Sequence, residues 1–277
     1  MHPAHAEPRT RPPEHAPPLA SRAAPVLALC SALLLLLVAV RWRPLVNADA
    51  AIARTTHRWA VGERGLTHVF RVLTDWVWDP ETMRLLCAAA VLWLARRRAG
   101  RRPALWVAGT CVLAAVLQQA LKAAVGRPRP VWPDPVDSAG YAAFPSGHAM
   151  TATVVCGLLL WLIHRRVART GWRLAVATAT VSVVGVGLTR VWLGVHWASD
   201  VLGGWLLGAT VVAAAVWAYD RRTRGRNPPA RTDHRPRVCP AHRVAGKSRH
   251  RPSQVRTPRP RREPPDSPRA PLLGSRS

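Results

Sequence analysis

The sequence predicts an all-α protein, a polytopic helical bundle that crosses a membrane about six times. The chain has 277 residues, a formal net charge of +26 and 49% hydrophobic residues. The apolar residues collect in long runs, and Arg and Pro collect between the runs and at both ends. A soluble domain of this size would mix apolar and polar residues throughout, whereas this segregation is typical of a multi-span membrane protein.

Six apolar runs are the predicted transmembrane helices: 24–40, 80–95, 104–125, 147–163, 172–189 and 197–219. The first run has the alternative of a signal peptide, because ADA at 48–50 resembles a cleavage site. The RWRP that follows the run directly favours a retained helix. The second run is the weakest, since its core MRLLCAAAVLWLA is short for a hydrocarbon layer of about 30 Å.

The composition divides the chain into three parts. Residues 24–220 form the predicted membrane domain, and its core motifs lie within 122–200. Residues 1–23 are a leader rich in Pro, His and Arg, and residues 221–277 are a basic, Pro-rich tail. Both are predicted to be disordered, because neither can bury an apolar core. We expect the tail to contact anionic lipid headgroups and not nucleic acid, since no nucleic-acid-reading motif interrupts it.

Charge between the runs predicts the topology. Six spans place both termini on one side of the membrane. Three Arg-rich clusters fall on that same side: 96–102, 164–169 and 221–226. The positive-inside rule assigns this side to the cytoplasm of a cell membrane. Three segments are then predicted to be loops on the external face: 41–80, 126–145 and 190–196.

Three polar clusters lie at the external ends of the runs. They are KAAVGRPRP at 122–130, FPSGH at 144–148 and TRVWLGVHWASD at 189–200. Lys122, Arg129 and Arg190 supply three cations. A guanidinium binds phosphate oxygens as a two-pronged fork, and an ammonium binds them as a point charge. The clusters therefore predict an anion site for a phosphate group.

The second cluster adds backbone donors to these cations. Ser146 and Gly147 stand where the fourth helix is predicted to begin, directly after Pro145. A helix N-terminus offers free backbone N–H groups and the positive end of the helix dipole. Glycine lets the backbone approach an anion closely. Together with the cations, this segment predicts a phosphate cradle.

Two histidines predict chemistry beyond binding. His196 and Asp200 are four residues apart, so both face one side if the sixth helix starts early. A carboxylate on one imidazole nitrogen fixes the tautomer and leaves the other nitrogen free to attack phosphorus. His148 is then the general acid for the leaving oxygen. This scheme needs no metal and no other cofactor, and the sequence has no acidic cluster to hold a metal ion.

The clusters resemble the motifs of the type 2 phosphatidic-acid phosphatase superfamily, which are K-x6-R-P, P-S-G-H and S-R-x5-H-x3-D. The matching residues are Lys122…Arg129-Pro130, Pro145-Ser146-Gly147-His148 and Thr189-Arg190…His196…Asp200. Thr189 stands where the pattern has Ser and keeps the hydroxyl. The resemblance covers about residues 60–219, so both tails lie outside it.

The resemblance implies a six-helix, metal-independent phosphohydrolase with its site on the external face. His196 would be the phosphohistidine nucleophile, positioned by Asp200, and His148 would protonate the leaving group. The implied phosphoryl-binding residues are Lys122, Arg129, Ser146, Gly147 and Arg190. Arg127 lies outside the pattern and is predicted to contact the headgroup of the substrate.

The implied substrate is a lipid phosphate or lipid diphosphate. Phosphatidic acid, phosphatidylglycerol phosphate and undecaprenyl diphosphate all remain open, and so does the oligomeric state. A phosphotransferase on the same scaffold is the alternative enzyme. A non-catalytic lipid-phosphate binder or transporter is the alternative of a different class, although binding alone needs no histidine pair. The superfamily also includes vanadium haloperoxidases, which hold vanadate with the equivalent residues, but those lack six apolar spans.

Overall fold

The computed structural model describes residues 19–164 and 166–226, and this part of the chain is helical without a strand. Eight α-helices follow in order: α1 (Leu19–Ala39), α2 (Arg43–Gly62), α3 (Arg64–Val72), α4 (Pro80–Ala95), α5 (Arg101–Val125), α6 (Gly147–Ile163), α7 (Arg169–Trp192) and α8 (Ala198–Arg226). A π-helix (Leu73–Val77) joins α3 to α4, and a 3₁₀ turn (Arg98–Gly100) precedes α5. The predicted all-α class is confirmed.

All six apolar runs are helices, namely α1 and α4 to α8. Four segments are long and apolar enough to cross a membrane: Arg22–Ala39, Arg101–Val125, Arg169–Trp192 and Ala198–Thr223. The apolar helix α6 has 17 residues and α4 has 16, so both are shorter than a typical full span. The protein is a multi-pass helical membrane protein, with two of its six apolar helices short.

The prediction of a loop at 41–80 is wrong. This segment forms α2, α3 and the π-helix. The residues that α2 buries are Asp49, Ala53, His57 and Ala60, which recur at helical spacing but are small or polar. A search for apolar runs does not detect such a face. The loop predicted at 190–196 is also shorter, because α7 continues to Trp192.

Glycines allow α8 to pack closely against its neighbours. The helix packs mainly against α1 and α6. A Cβ added to Gly203 would lie 2.4 Å from the Phe144 ring, and one on Gly204 would lie 2.8 Å from the carbonyl oxygen of Ser146. One on Gly208 would lie 2.8 Å from the Cβ of Thr153. These contacts press the FPSGH segment against the start of α8.

The two ends of the helices differ in chemistry. Lys122 lies in the last turn of α5, and α6 starts at Gly147. Arg190 lies in the last turn of α7, and Asp200 in the first turn of α8. The Arg-rich clusters occupy the opposite ends of the same helices. At 1.5 Å per residue, the 25 residues of α5 separate the two kinds of end by about 38 Å.

The termini extend beyond the described residues. Helix α1 begins at Leu19, inside the predicted leader, and α8 runs to Arg226, inside the predicted tail. The rest of the leader and of the basic tail lies outside the described residues, and with it the predicted contact with anionic headgroups.

Candidate active site

The first motif turns back over the end of α5. Gly126 ends the helix in the left-handed conformation, with φ at 57°, which glycine adopts without strain. The Nζ of Lys122 donates to the carbonyl oxygen of Ala142 at 2.6 Å. Arg129 donates to the carbonyl oxygens of Tyr141 and Val195. The two predicted phosphate cations thus tie the segment before the second motif to the loop before α8.

His196 lies in the short loop between α7 and α8 and is 1% exposed. Its Nε2 is 3.0 Å from the guanidinium NH1 of Arg129, and its Nδ1 is 3.4 Å from Oδ2 of Asp200. A guanidinium has only donors, so Nε2 accepts and Nδ1 carries the proton. This tautomer leaves the lone pair of His196 directed at a cation that can bind phosphate.

The charge of His196 follows from its surroundings. Burial, together with the cations Arg129, Arg190 and Lys122, holds the pKa of His196 well below its usual range. The imidazole is therefore neutral at physiological pH. A neutral imidazole has the free electron pair that a nucleophile needs.

Asp200 is fully buried, and its carboxylate accepts hydrogen bonds from three different residues. Its Oδ2 accepts the backbone N–H of Trp197 at 2.9 Å, in addition to His196. Its Oδ1 accepts from the NH1 of Arg127 at 2.6 Å. The backbone N–H of Ser146 donates to the carbonyl oxygen of Asp200 at 2.9 Å, so the second and third motifs are joined directly.

The second motif forms the N-terminus of α6, as predicted. Ser146 is the residue before the helix, and its fully buried Oγ has no hydrogen-bond partner among the described residues. A Cβ on Gly147 would lie 3.0 Å from Nε2 of Gln118, so a side chain at this position would have to displace the Gln118 amide. The hydroxyl and the first free N–H groups of α6 are the donors that an anion would use here.

Arg190 lies 4% exposed at the end of α7. Its NH1 is 3.5 Å from Oδ2 of Asp137, and its Nε has no hydrogen-bond partner within the described part of the chain. Buried polar atoms usually have partners. The unpaired atoms of Arg190 and Ser146 both belong to residues predicted to hold phosphate.

The structure gathers all eight predicted site residues at one end of the helices. His148, at the second position of α6, interacts electrostatically with the side chains of four of them: Arg190, His196, Arg129 and Lys122. Asp200 in turn interacts with Lys122 and Arg129. Three cations therefore surround two histidines that lie on different elements.

Within the third motif, Thr189 has a structural role. Its hydroxyl donates to the carbonyl oxygen of Val186 at 2.8 Å and lies 3.0 Å from the hydroxyl of Thr74 in the π-helix. The bond to Thr74 fixes the end of α7, and with it the backbone of Arg190. Retention of the hydroxyl in place of Ser therefore matters for packing.

Sequence reasoning missed the polar residues that support the loop of His196. Trp132 donates from its indole N–H to the carbonyl oxygen of Gly194 at 2.9 Å. The ring of His57 stacks on Trp132 with centroids 4.0 Å apart, and its Nε2 bonds Asp134 at 3.0 Å. This hydrogen bond lowers the pKa of Asp134. The hydrogen bond between Trp132 and Gly194 could not be predicted from the sequence, because the two residues are far apart in the chain.

Arg127 was predicted to contact the substrate headgroup, but in the structure its guanidinium binds side chains of the protein. Its guanidinium bonds the carboxylates of Asp49 and Asp200 and the hydroxyl of Ser199. Asp49 and Ser199 are buried and were not singled out from the sequence. One signal was available, since a single Asp within the otherwise basic segment 41–60 is unusual.

An apolar cavity of about 320 Å³ adjoins the site between α4, α5 and α6. Gln118, which contacts Gly147, forms part of its wall together with Met150 and Thr151. From there the cavity extends along the helices to Leu92 and Ala108. The polar cluster therefore has an apolar space directly beside it.

Within residues 19–164 and 166–226, no group of three or more His, Cys, Asp or Glu side chains is arranged to hold a metal ion. The ionisable groups at the site are instead dominated by Arg, Lys and His.

The fold and the site define a class, that of multi-pass helical membrane proteins with a buried histidine and cation cluster at one end of the bundle. A sequence model of the PAP2 superfamily matches residues 103–224, which include all three motifs. The chain is 33% identical over 166 residues to decaprenylphosphoryl-5-phosphoribose phosphatase of Mycobacterium tuberculosis, an alignment that covers 59% of this chain and 82% of that protein. The chain belongs to the PAP2 superfamily.

Two further comparisons agree with this assignment. Over 95 residues the chain is 36% identical to phosphatidylglycerophosphatase B of Bacillus subtilis. This alignment covers 34% of this chain and 46% of that protein. The chain therefore aligns with less than half the length of that relative. The crystal structure of a transmembrane PAP2-type phosphatidylglycerolphosphate phosphatase from Bacillus subtilis has the same fold, with a TM-score of 0.62 at 24% identity, over 72% of this chain and 96% of the other.

Proposed function

We propose that the protein is an integral-membrane phosphatase that hydrolyses a lipid phosphate or lipid diphosphate through a phosphohistidine intermediate, without a metal ion. The arrangement about His196 carries the proposal. Its Nε2 accepts from Arg129, its Nδ1 donates to Asp200, and its environment keeps it neutral. This is the protonation state of a nucleophile that is held beside a phosphate-binding cation.

In the first step, the lone pair on Nε2 of His196 attacks phosphorus in line with the leaving oxygen. The P–N bond forms as the P–O bond breaks, and His148, which is protonated when the negative charge of the bound phosphate offsets the surrounding cations, donates that proton to the leaving oxygen. Asp200 accepts the Nδ1–H bond throughout and stabilises the positive charge on the ring. Arg129, Arg190 and Lys122 stabilise the charge on the phosphoryl oxygens.

In the second step, water attacks the phosphohistidine. Neutral His148 takes a proton from that water as the new P–O bond forms. The P–N bond breaks, its electron pair returns to Nε2 of His196, and inorganic phosphate leaves. Both histidines are then in their starting states, so no external reductant, oxidant or metal is needed.

The apolar cavity supports a lipid as the substrate. Gln118 lies beside Gly147 and also lines the cavity, so a phosphate held at Gly147 would lie close to this apolar space. Burial of a hydrocarbon chain stabilises its complex by about 0.8 kcal/mol per CH₂ group. The named substrates of the relatives, phosphatidylglycerophosphate and decaprenylphosphoryl-5-phosphoribose, both join a phosphate to long apolar chains.

We place the site on the external face of the cell membrane and both termini in the cytoplasm. The Arg-rich clusters at the opposite ends of α5, α6 and α8 support this orientation through the positive-inside rule. A phosphate monoester at the headgroup level would reach the site from the outer leaflet.

Phosphate release by the purified protein in EDTA tests the proposal. The substrate panel is phosphatidic acid, phosphatidylglycerol phosphate, undecaprenyl diphosphate and decaprenylphosphoryl-5-phosphoribose. We expect metal-free turnover of at least one lipid and its complete loss in His196→Ala, because this variant lacks the nitrogen that attacks phosphorus in the proposed mechanism. Folded His196→Ala that keeps its activity would refute the phosphohistidine mechanism. Transfer of phosphate to an added alcohol, without release to water, would instead identify the phosphotransferase.

Filling the cavity tests the place of the lipid chain. Ala115 lines the cavity from α5. We expect Ala115→Trp to lower kcat/KM for a long-chain lipid phosphate by about tenfold or more, since even two or three displaced CH₂ groups are worth that much. The value for a short-chain, water-soluble phosphate ester should stay within about twofold. The matched control is Leu113→Trp, because Leu113 is 62% exposed on the same helix. Equal losses on both substrates would place the chain elsewhere.

A further inference from the structure

Asp49 is a buried carboxylate outside the three motifs. It lies on α2, the segment before the first motif, and is 2% exposed. Its Oδ1 accepts the backbone N–H of Ser199 at 2.9 Å, and its Oδ2 accepts the hydroxyl of Ser199 at 2.5 Å. The same Oδ2 lies 2.7 Å from the NH2 of Arg127. Two of these contacts are with Ser199 in the first turn of α8, and the third is with Arg127 in the segment after α5.

Arg127 connects Asp49 to the carboxylate beside the nucleophile. Its NH2 binds Asp49, and its NH1 binds Oδ1 of Asp200 at 2.6 Å and the Oγ of Ser199 at 2.7 Å. A buried carboxylate such as Asp200 keeps its charge only when a partner is held in good geometry. Arg127 supplies that partner, and Asp49 with Ser199 fixes the guanidinium from the far side.

The shared guanidinium also sets the local charge. With Arg127 between them, Asp49 and Asp200 carry one net negative charge behind His196. The cations Lys122, Arg129 and Arg190 face His196 from the other side. If Asp49 were neutral, Arg127 would offset Asp200 fully. The stabilisation that Asp200 gives to a positively charged imidazole ring would then be weaker.

We propose that Asp49 and Arg127 are positioning residues for the reaction, which orient Asp200 and maintain its charge and so hold His196 ready to attack. This inference rests on the proposed function. It assigns a part in the reaction to a residue of α2, a helix that lies outside all three motifs. Asp49 acts through Arg127 and Asp200 and touches neither the substrate nor the reacting nitrogen.

The test is a double-mutant cycle between Asp49→Asn and Asp200→Asn, read as single-turnover formation of the phosphoenzyme in full-length protein. We expect Asp49→Asn to lower this rate and kcat by about 10- to 100-fold, as for other residues that orient a reactive group from behind. KM should change by less than about twofold. The double variant should be no slower than Asp200→Asn alone, because Asp49 acts only through Asp200.

If Asp49 had only a structural role, the double-mutant cycle would give a different result. Loss of an anchor between α2 and α8 would add its own cost, so the two single effects would multiply in the double variant. That outcome, or a wild-type kcat in folded Asp49→Asn, would overturn the proposal. Glu63→Gln is the matched control, since Glu63 is an exposed carboxylate at the end of the same helix and should leave kcat unchanged.

Ser199→Ala keeps the proposal testable if Asp49→Asn does not fold. The change removes only the hydroxyl that bonds Asp49 and Arg127 and keeps the backbone of α8. We expect a smaller loss of kcat, about three- to tenfold, again absent in the Asp200→Asn background. His196→Ala separates the two hypotheses. If that variant is active, the proposed function fails. If it is inactive while Asp49→Asn and Ser199→Ala turn over like wild type, only the positioning inference fails.

Discussion

Replacement of Asp200 with Asn is expected to lower kcat for lipid phosphate hydrolysis by about 10³- to 10⁴-fold, the size of the effect when a triad aspartate is replaced. The amide of Asn can donate to Nδ1 of His196, which would move the imidazole proton to Nε2 and remove the attacking lone pair. The change also leaves Arg127 with one carboxylate in place of two. Steady-state phosphate release in detergent or nanodiscs measures the effect.

Asp220→Asn is the control for this variant. Asp220 lies near the other end of α8. The substitution Asp220→Asn therefore makes the same chemical change on the same helix, but far from His196. Its activity should match that of the wild type. Thermal unfolding of both variants shows whether they fold. A folded Asp200→Asn within about tenfold of wild type would mean that Asp200 does not set the tautomer of His196.

Replacement of His148 with Gln is expected to act according to the leaving group. For an alkyl phosphate monoester such as phosphatidic acid, kcat/KM should fall by about 10³-fold, since general acid catalysis contributes 10²- to 10⁴-fold. For p-nitrophenyl phosphate it should fall by less than about tenfold, because nitrophenolate leaves without a proton. The quantity to compare is kcat/KM, which reports only the steps up to formation of the phosphoenzyme.

His68→Gln is the matched control for that substitution, because His68 is exposed on α3 outside the site. It should leave both substrates unaffected. Equal losses on both substrates in folded His148→Gln would assign His148 to phosphate binding and not to proton donation.

The fold was predictable from the sequence wherever apolar residues form continuous runs. The fourth run matches α6 at both ends, and the third, fifth and sixth runs match α5, α7 and α8 to within a few residues at the site end. Lipid-facing helices must be apolar along their length, so composition alone reveals them. The segment 41–80 was mispredicted because α2 buries Asp49 and His57, and a polar buried face has no hydropathy signal.

The sequence by itself determined which residues have the side-chain types and spacing that the proposed chemistry needs: the cations of the first and third motifs, the helix start at Gly147, and the pair His196 and Asp200 at a spacing of four. Chemistry of this kind depends on residue type and local spacing, which a chain displays directly. Only the tertiary structure decided what lies behind Asp200. Asp49, Arg127 and Ser199 meet there from three separate elements, up to 150 residues apart. Their partnership is set by how α2 packs against the start of α8, because a buried charge is stable only where the fold brings its partner to it.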